Sequence, residues 1–572
     1  MSTTSSTDSK DALTETSSHA PTYNRRRFLH TAALTSGSLL LAACGGTSTQ
    51  LQPTAKVTTV PGAQITATMQ AAVGKTFFPS GDPNVPDAYT APPPLVQSVS
   101  YVPGSGDTVN ALTVSFNPPP LPLNQNKYWQ ELNKRLNANW QVQLPSGNEG
   151  YTEKAAALLA SGDLPDLFCI ELFLSPSLAP ALQQGAFTDL TSYLSGNELN
   201  NYPNIAKISP ISWKNTRFNG KIYGVPRARP VANGGLFFRL DLIEKVGMSV
   251  PKNADEFFQL TKAITQYGKG QAWALGNGGT VFGSGSPMFC MEMFGVPNNW
   301  RLEKNGTLTH MFQTDEFKAS MLYIRKLYTA GVFHPDYFTQ TLTQTTTAFT
   351  TGKVAAYVTG MAGLLTARLG AKTVDPQSNV GLLIPAGDKA IGWLAAGHFG
   401  TVGIPSQVGS DQNRVKTLLR ILDYFCAPRF SIEGDFLATG IDGWDNTKAA
   451  NEVKALNATG SKEVGDLTYI ENPAPIYYTP TEPSFALKLQ GYAKQLQAIG
   501  ITDPTAPLYS PTATKQQAQL NQVYNDRFIR FVKGTDPETS VGGFASDFLS
   551  NGGAQIAKEF QDQLQKQGVS TP

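Results

Sequence analysis

The sequence predicts an α/β fold in two or more lobes, and two observations carry that expectation. The chain has 572 residues, more than one ordinary hydrophobic core supports. Its regular part opens on a strand–helix–strand–helix–strand pattern. Strands alternating with helices imply parallel pairing through right-handed crossovers.

The elements follow in order. Val109 to Phe116 is strand-like and is closed by Pro118-Pro119-Pro120. Tyr128, Trp129, Leu132 and Leu136 recur at helical spacing. A short strand is expected at Gln141–Leu144, then a helix through Ala155, Leu158 and Leu159, ended by Ser161-Gly162-Asp163. Leu164 to Leu172 is the next apolar strand. Farther on, Asn253-Ala254-Asp255-Glu256 resembles a capping box ahead of Phe257, Leu260 and Ile264. Phe317, Met321, Ile324 and Tyr328 mark another helix, with Gly331 at its C-cap. Val415, Leu418, Leu422 and Phe425 mark a third, and the last hundred residues read as mostly helical. No internal repeat is present.

Ahead of this domain lies a leader. Residues 1–23 are rich in Ser and Thr. Asn24-Arg25-Arg26-Arg27-Phe28-Leu29-His30 resembles the twin-arginine export motif, and the mostly apolar Thr31 to Ala43 has the length of a signal h-region. Leu41-Ala42-Ala43-Cys44-Gly45 resembles a lipobox. The expectation is a signal peptide over 1–43 and a mature protein tied by a lipid on Cys44 to the outer face of the cell membrane. Twin-arginine substrates are generally exported folded. Residues 44–108, rich in Thr, Gln, Pro, Gly and Ala, read as a tether followed by a surface strap. About thirty such residues reach roughly 30 Å.

Composition narrows the function. Charged residues are 15% and the net charge is +2, with no Lys/Arg run beyond Arg25–Arg27, so nucleic acid is not an expected partner. Cys169, Cys290 and Cys426 are an odd number without C-x-x-C spacing, and read as buried small hydrophobes. His310, His334 and His398 have no ligand-spaced neighbour, and the H-E-x-x-H, G-x-S-x-G and G-x-x-x-x-G-K-[ST] motifs are absent. Gly283-Ser284-Gly285-Ser286 reads as a turn, and Tyr477-Tyr478 as strand or loop rather than an iron site. No cofactor and no metal are expected.

From Val109 onward the order of segments resembles the family 1 extracellular solute-binding proteins of ABC importers, in their large lipoprotein branch. Ser161-Gly162-Asp163-Leu164-Pro165-Asp166-Leu167 is similar to that family's S-G-x-x-P-D stretch, and Gly185 to Leu190 to its G-x-F-x-x-L segment. The longest likeness is Tyr223-Gly224-Val225-Pro226, then Gly235 to Leu242, then Val250-Pro251-Lys252. Phe349 to Ala356 resembles F-x-x-G-K-V-A-M, and Gly440 to Trp444 a late G-x-x-G turn. The resemblance implies a two-lobed, type II periplasmic-binding-protein-like fold with hinge strands and an interlobe cleft. It implies lobe 1 at about 109–228 and 361–408, and lobe 2 at about 232–357 and 410–572. It also implies a monomeric, non-enzymatic receptor that captures a solute and delivers it to a membrane permease, with a sugar or oligosaccharide expected.

Ligands in such sheets meet the carboxyl ends of strands. Glu171, with Phe173 beside it, stands at the end of the strand after Pro165. Arg227 and Arg229 follow the first crossing, where a guanidinium suits a carboxylate or paired hydroxyls; interlobe ion pairing is the other reading. Trp300 and Trp444 lie in loops and Trp393 and His398 near a crossing strand, so the tryptophans are candidate stacking faces. Trp129 and Trp140 read as core. Glu292 and Asp442 complete the set. A hydrolase using two carboxylates among Glu171, Asp189, Glu292 and Asp442 is the alternative.

Overall fold

A computed structural model describes residues 50–51, 74–170, 178–277, 285–448 and 453–566. The leader, Cys44, Glu171 and Phe173 lie outside the described residues.

The chain enters the first lobe through β1 (Thr108–Leu112), α1 (Lys127–Leu136), β2 (Asn139–Gln143), α2 (Gly147–Ser161) and β3 (Leu167–Ile170). The Asn126 side chain accepts the amide of Trp129 to cap α1, which buries Tyr128, Leu132 and Leu136. Gly162 ends α2 at φ 74°, a left-handed position that glycine takes without strain. β4 (Gly224–Ala228) then leads to the second lobe, which holds β5 (Gly234–Arg239), α3 (Ala254–Tyr267), β6 (Trp273–Leu275), α4 (Ser286–Met293), α5 (Asp315–Thr329), β7 (Val354–Gly360) and β8 (Val380–Leu383). The chain returns through β9 (His398–Gly403) to α6 (Gln412–Phe425) and α7 (Ile432–Thr439), and crosses again to α8 (Phe485–Ala498), α9 (Pro511–Val532) and α10 (Ala554–Lys566).

The first sheet has the order β2-β1-β3-β9-β4 and the second β8-β5-β7-β6. β1 is parallel to β2 and β3, as the opening pattern predicts, while β9 runs antiparallel to β3 and β4. Residues Ala228 and His398 are opposite one another, so the start of β9 meets the carboxyl end of β4. In the second lobe β5 is antiparallel to β7 and β8, and β6 is parallel to β7.

The lobe limits differ from those expected. β8 pairs with β5, and Met361, Leu364, Val380 and Leu382 share a core with Phe237 and Val354, so 361–383 belongs to the second lobe. Conversely, Val415, Leu418, Leu422 and Phe425 pack with Val109, Leu132 and Trp140, so α6 belongs to the first. Helical periodicity shows that α6 buries one face; it does not say which sheet receives it. Each of those side chains contributes about 1.5–3 kcal/mol by leaving water, which commits the helix to the sheet it covers.

Among the described residues that follow the strap, segments 229–233, 394–397 and 473–475 link the lobes. The first two are laced together: Arg229 N–H donates to Gly397 O at 2.9 Å and Ala395 N–H to Val231 O at 2.9 Å. Behind them lies the strap. Phe77–Phe78 and Asp87–Tyr89 form a three-stranded sheet with Ile476–Tyr478, and Gln490 of α8 donates to Phe78 O and Pro86 O. Val85 and Ala88 enter the second-lobe core. Farther along, Val96 bridges Ser431, Ser98 donates to Glu433 and Tyr101 to Asp423, all in the first lobe. Pro92-Pro93-Pro94, with fixed φ and no N–H donors, connects the two anchorages.

Candidate ligand cleft

The carboxyl ends of β1, β3 and β4 meet at one edge of the first sheet, beside the crossing strands. Phe116 follows β1, and Phe399 stands one residue into β9. Tyr469 belongs to a segment laid over the sheet edge, fixed where Thr113 donates to Tyr469 O at 3.0 Å and the Trp140 indole to Leu467 O at 2.9 Å. The ring of Phe116 stands edge-on to Phe399 at 6.5 Å and to Tyr469 at 6.0 Å. All three rings are half-buried.

Two arginines complete this floor. Arg227 is fully buried. Its guanidinium lies 4.4 Å from the Tyr469 ring and 5.4 Å from Phe399, and donates to Tyr469 O at 2.6 Å and Cys169 Sγ at 3.4 Å. Arg229 is half-buried, 5.0 Å over Phe399, with Nη2 donating to the Tyr469 hydroxyl at 3.0 Å. A desolvated cation is costly, and the negative faces of the rings offset part of that cost. Glu471 is buried nearby. Burial pushes its carboxyl well above the usual range, against the pull of Arg227.

The second lobe reaches this edge through Tyr509, ahead of α9, whose ring lies 5.6 Å from Phe218, which in turn lies 6.3 Å from Tyr223. Tyr509 N–H donates to Gln563 of α10 at 3.0 Å, so this contact joins the C-terminal helices to the first lobe.

Among the residues expected from sequence, Arg227 and Arg229 come together here. Trp444 is 41% exposed on the outside of the first lobe near the start of α1. Lys127 Nζ lies 3.4 Å over its ring and its indole donates to Glu463. Trp300, expected in an exposed loop, is buried in the second-lobe core against His310, Phe548 and Phe560. Glu292 is also buried, accepting Trp393 N–H at 2.7 Å, and burial lifts its carboxyl to about 8. The Trp393 indole donates to Val296 O at 2.7 Å, which holds it against the second lobe. His398 accepts Gly400 N–H through Nδ1, and burial lowers its pKa to about 4, leaving it neutral. Asp442 is ion-paired with Lys454 at 2.6 Å. Asp189 is paired with Lys221 at 2.9 Å. Asp189 and Asp442 are thus each held by a lysine and Glu292 by a backbone N–H, while Glu171 lies outside the described residues.

Sequence reasoning missed Phe116, Phe399, Tyr469 and Glu471. Phe116 had a signal, being the last apolar residue before the three prolines. Tyr469 had none, since nothing in its neighbours says that its segment lies across a sheet made 300 residues earlier.

A separate cavity of about 1140 Å³ opens behind the hinge, between the strap, Lys207, Arg429 and the crossing residues 229–231 and 474–476. It touches none of the floor aromatics and shares only Arg229 with them, so the sheet edge is the candidate ligand site.

A family model described as bacterial extracellular solute-binding protein matches residues 127–422, just over half of the chain. The chain is 24% identical over 424 residues to the polygalacturonan/rhamnogalacturonan-binding protein YtcQ of Bacillus subtilis, covering 72% of this chain and 82% of that one. It is 22% identical over 433 residues to lipoprotein LipO of the same organism, covering 72% and 84%. Among solved structures, an HMO-binding, ABC-transporter-associated solute-binding protein of Bifidobacterium longum infantis superposes with a TM-score of 0.60 at 16% identity, over 80% of this chain and 99% of that one. FusA of Streptococcus pneumoniae, in complex with fructo-nystose, gives 0.57 at 16%, over 81% and 100%. At these identities the structural likeness is one of fold, the two-lobed type II arrangement.

Proposed function

The chain belongs to the bacterial extracellular solute-binding proteins, and from that membership we propose that it captures an oligosaccharide in the interlobe cleft and delivers it to an ABC permease. The observation that carries this reading is the floor of half-buried rings, Phe116, Phe399 and Tyr469, at the carboxyl edge of the first sheet. Sugar C–H faces pack on such π surfaces, while a few polar groups fix orientation. The names of the relatives, binders of polygalacturonan, HMO or fructo-nystose, support a saccharide ligand.

Capture is a hinge motion. Ligand contacts to both lobes favour the closed arrangement, and the crossing segments absorb the rotation. No bond in the ligand is made or broken. Export through the twin-arginine leader and anchoring through Cys44 belong to the same reading, because a receptor held near its permease by one lipid and a tether stays free to sample solute. It acts as a monomer.

A thermal-shift screen of mono- and oligosaccharides, amino acids and peptides tests the assignment. A ligand at a hundred times its Kd stabilises the folded protein by about 2.7 kcal/mol, a readable rise in Tm. Oligosaccharides should give that rise, and a response confined to amino acids or peptides sinks the reading. For the anchor, Cys44→Ser should release the exported protein into the medium; retention in the membrane fraction would count against lipidation there.

A further inference from the structure

We infer that the cleft selects an acidic oligosaccharide, one bearing sugar carboxylates, and that Arg229 is the residue that reads the carboxylate. The inference rests on the proposed role of the cleft as an oligosaccharide site and goes on to name the class.

Several other desolvated arginines in this chain are ion-paired. Arg239 meets Asp241 at 2.8 Å and Asp375 at 2.9 Å, Arg368 meets Glu482 at 2.7 Å, and Arg414 meets Asp166 at 2.9 Å. Arg527 is paired with Asp547. These four guanidiniums leave water against a carboxylate, whereas half-buried Arg420 donates to Pro103 O and to the Thr417 hydroxyl. Arg229 has no such ion pair among the described residues. Its partners are neutral, the Tyr469 hydroxyl and the face of Phe399. Its Nε is buried and makes no hydrogen bond.

A guanidinium has five donors in a planar fork. Nε and the neighbouring Nη form an edge that matches the two oxygens of one carboxylate. In Arg229 that edge has an unused Nε–H, and Tyr469 already orients the group. The aromatic floor would then hold the ring faces of the sugar while the fork takes its carboxylate. A neutral sugar could use the donors but would leave the charge uncompensated as the cleft closes. Arg227 adds a second positive charge beneath the floor. Burial raises the pKa of Glu471, the buried carboxyl near Arg227, against the pull of that guanidinium.

The test pairs trigalacturonate with its fully methyl-esterified form, which removes the charge and keeps the rings, and repeats the comparison with oligomannuronate. Calorimetry on the mature chain at low and at physiological salt reads the ratio of affinities. A charge-assisted bidentate contact predicts that at least one free acid binds about tenfold or more tighter than its ester. The preference should weaken with salt and fall to near one in Arg229→Gln. Arg229→Lys, which keeps the charge and loses the fork, should lie between. Equal binding of acid and ester in the unaltered chain overturns the inference and leaves the oligosaccharide role standing. So does binding of maltotriose with no binding of either acid. A preference that survives in a folded Arg229→Gln overturns the role of Arg229. If no oligosaccharide binds at all, the underlying role falls as well. Should Arg229→Gln not fold, the acid-to-ester ratio and its salt dependence in the unaltered chain decide the question.

Discussion

Both lobes gather aromatic side chains, and the two gatherings differ in what surrounds them. In the second lobe Trp300, His310, Phe312, Phe548 and Phe560 are all buried, with His310 stacked on Phe548 at 3.9 Å. Burial holds His310 neutral, with its pKa lowered to about 3. At the first-lobe edge Phe116, Phe399 and Tyr469 are only half-buried, and Arg229 beside them meets no carboxylate in an ion pair among the described residues. The first arrangement is closed upon itself and holds helices to a sheet. The second leaves faces and donors unused, which costs stability unless a partner arrives. The same residue types thus serve cohesion in one place and recognition in the other.

The largest effect that would break this contrast lies in the second lobe. Trp300→Ala should cost about 3–5 kcal/mol by opening a cavity under α10, read as a lower denaturation midpoint with unchanged m-value. A loss under ~1 kcal/mol would mean that the cluster is not cohesive.

Next comes charge. Arg239→Ala takes from Asp241, only 7% exposed at its side chain, its two-pronged partner and leaves it Lys245 and the Asn379 N–H, and should cost about 2–3 kcal/mol. Arg229→Ala leaves no ion-paired carboxylate behind among the described residues and should cost under ~1 kcal/mol. Equal losses in urea melts would erase the distinction between a closed and an open cation.

Glu292 sharpens the same point through pH. Its folded pKa of about 8 lies above the ordinary 4.5, so the folded state keeps a proton that the unfolded state releases. Its contribution is fully present below pH 4.5 and is lost as pH rises through 8. Glu292→Gln should therefore match the parent near pH 4 and exceed it by on the order of 4–5 kcal/mol near pH 8.5. A constant difference across that window would show that Glu292 is not the titrating group.

The smallest effect on stability is expected at the first-lobe edge. Phe399→Ala should leave the melting midpoint within a few degrees and weaken oligosaccharide binding about tenfold, or ~1.4 kcal/mol. Scanning calorimetry reads the first half of that statement and titration calorimetry the second, and unchanged affinity with lowered stability would make Phe399 a core residue.

Much of the first lobe was legible in the sequence because local period and punctuation dictate it. The helix through Tyr128, Leu132 and Leu136 spans Lys127–Leu136, and Ser161-Gly162-Asp163 ends α2. Asn253 accepts Glu256 N–H at 2.9 Å, as the capping box required. Lobe membership was not legible for α6, since a helix face is compatible with either sheet. Trp300 misled because Gly295-Val296-Pro297-Asn298-Asn299 reads as loop, while the next residues form one arm of a hairpin, 300–302 with 308–310. Its turn then folds the indole under α10. Arg227 and Arg229 could be singled out because they come just after the recognisable Tyr223-Gly224-Val225-Pro226; the rings they face, Phe399 and Tyr469, come from two distant parts of the chain.

The strap also has a consequence in time. Asp87 pairs with Ile476 and Tyr89 with Tyr478, so a ribosome emits one side of this small sheet near the beginning and the other near the end. Closing so long a loop is entropically slow, and no shorter chain can do it. Until residue 478 emerges, Phe77 and Tyr89 lack the strand that covers them. A nascent receptor thus carries an unsealed back through most of its synthesis, and the sealing of that back marks a chain made past residue 478.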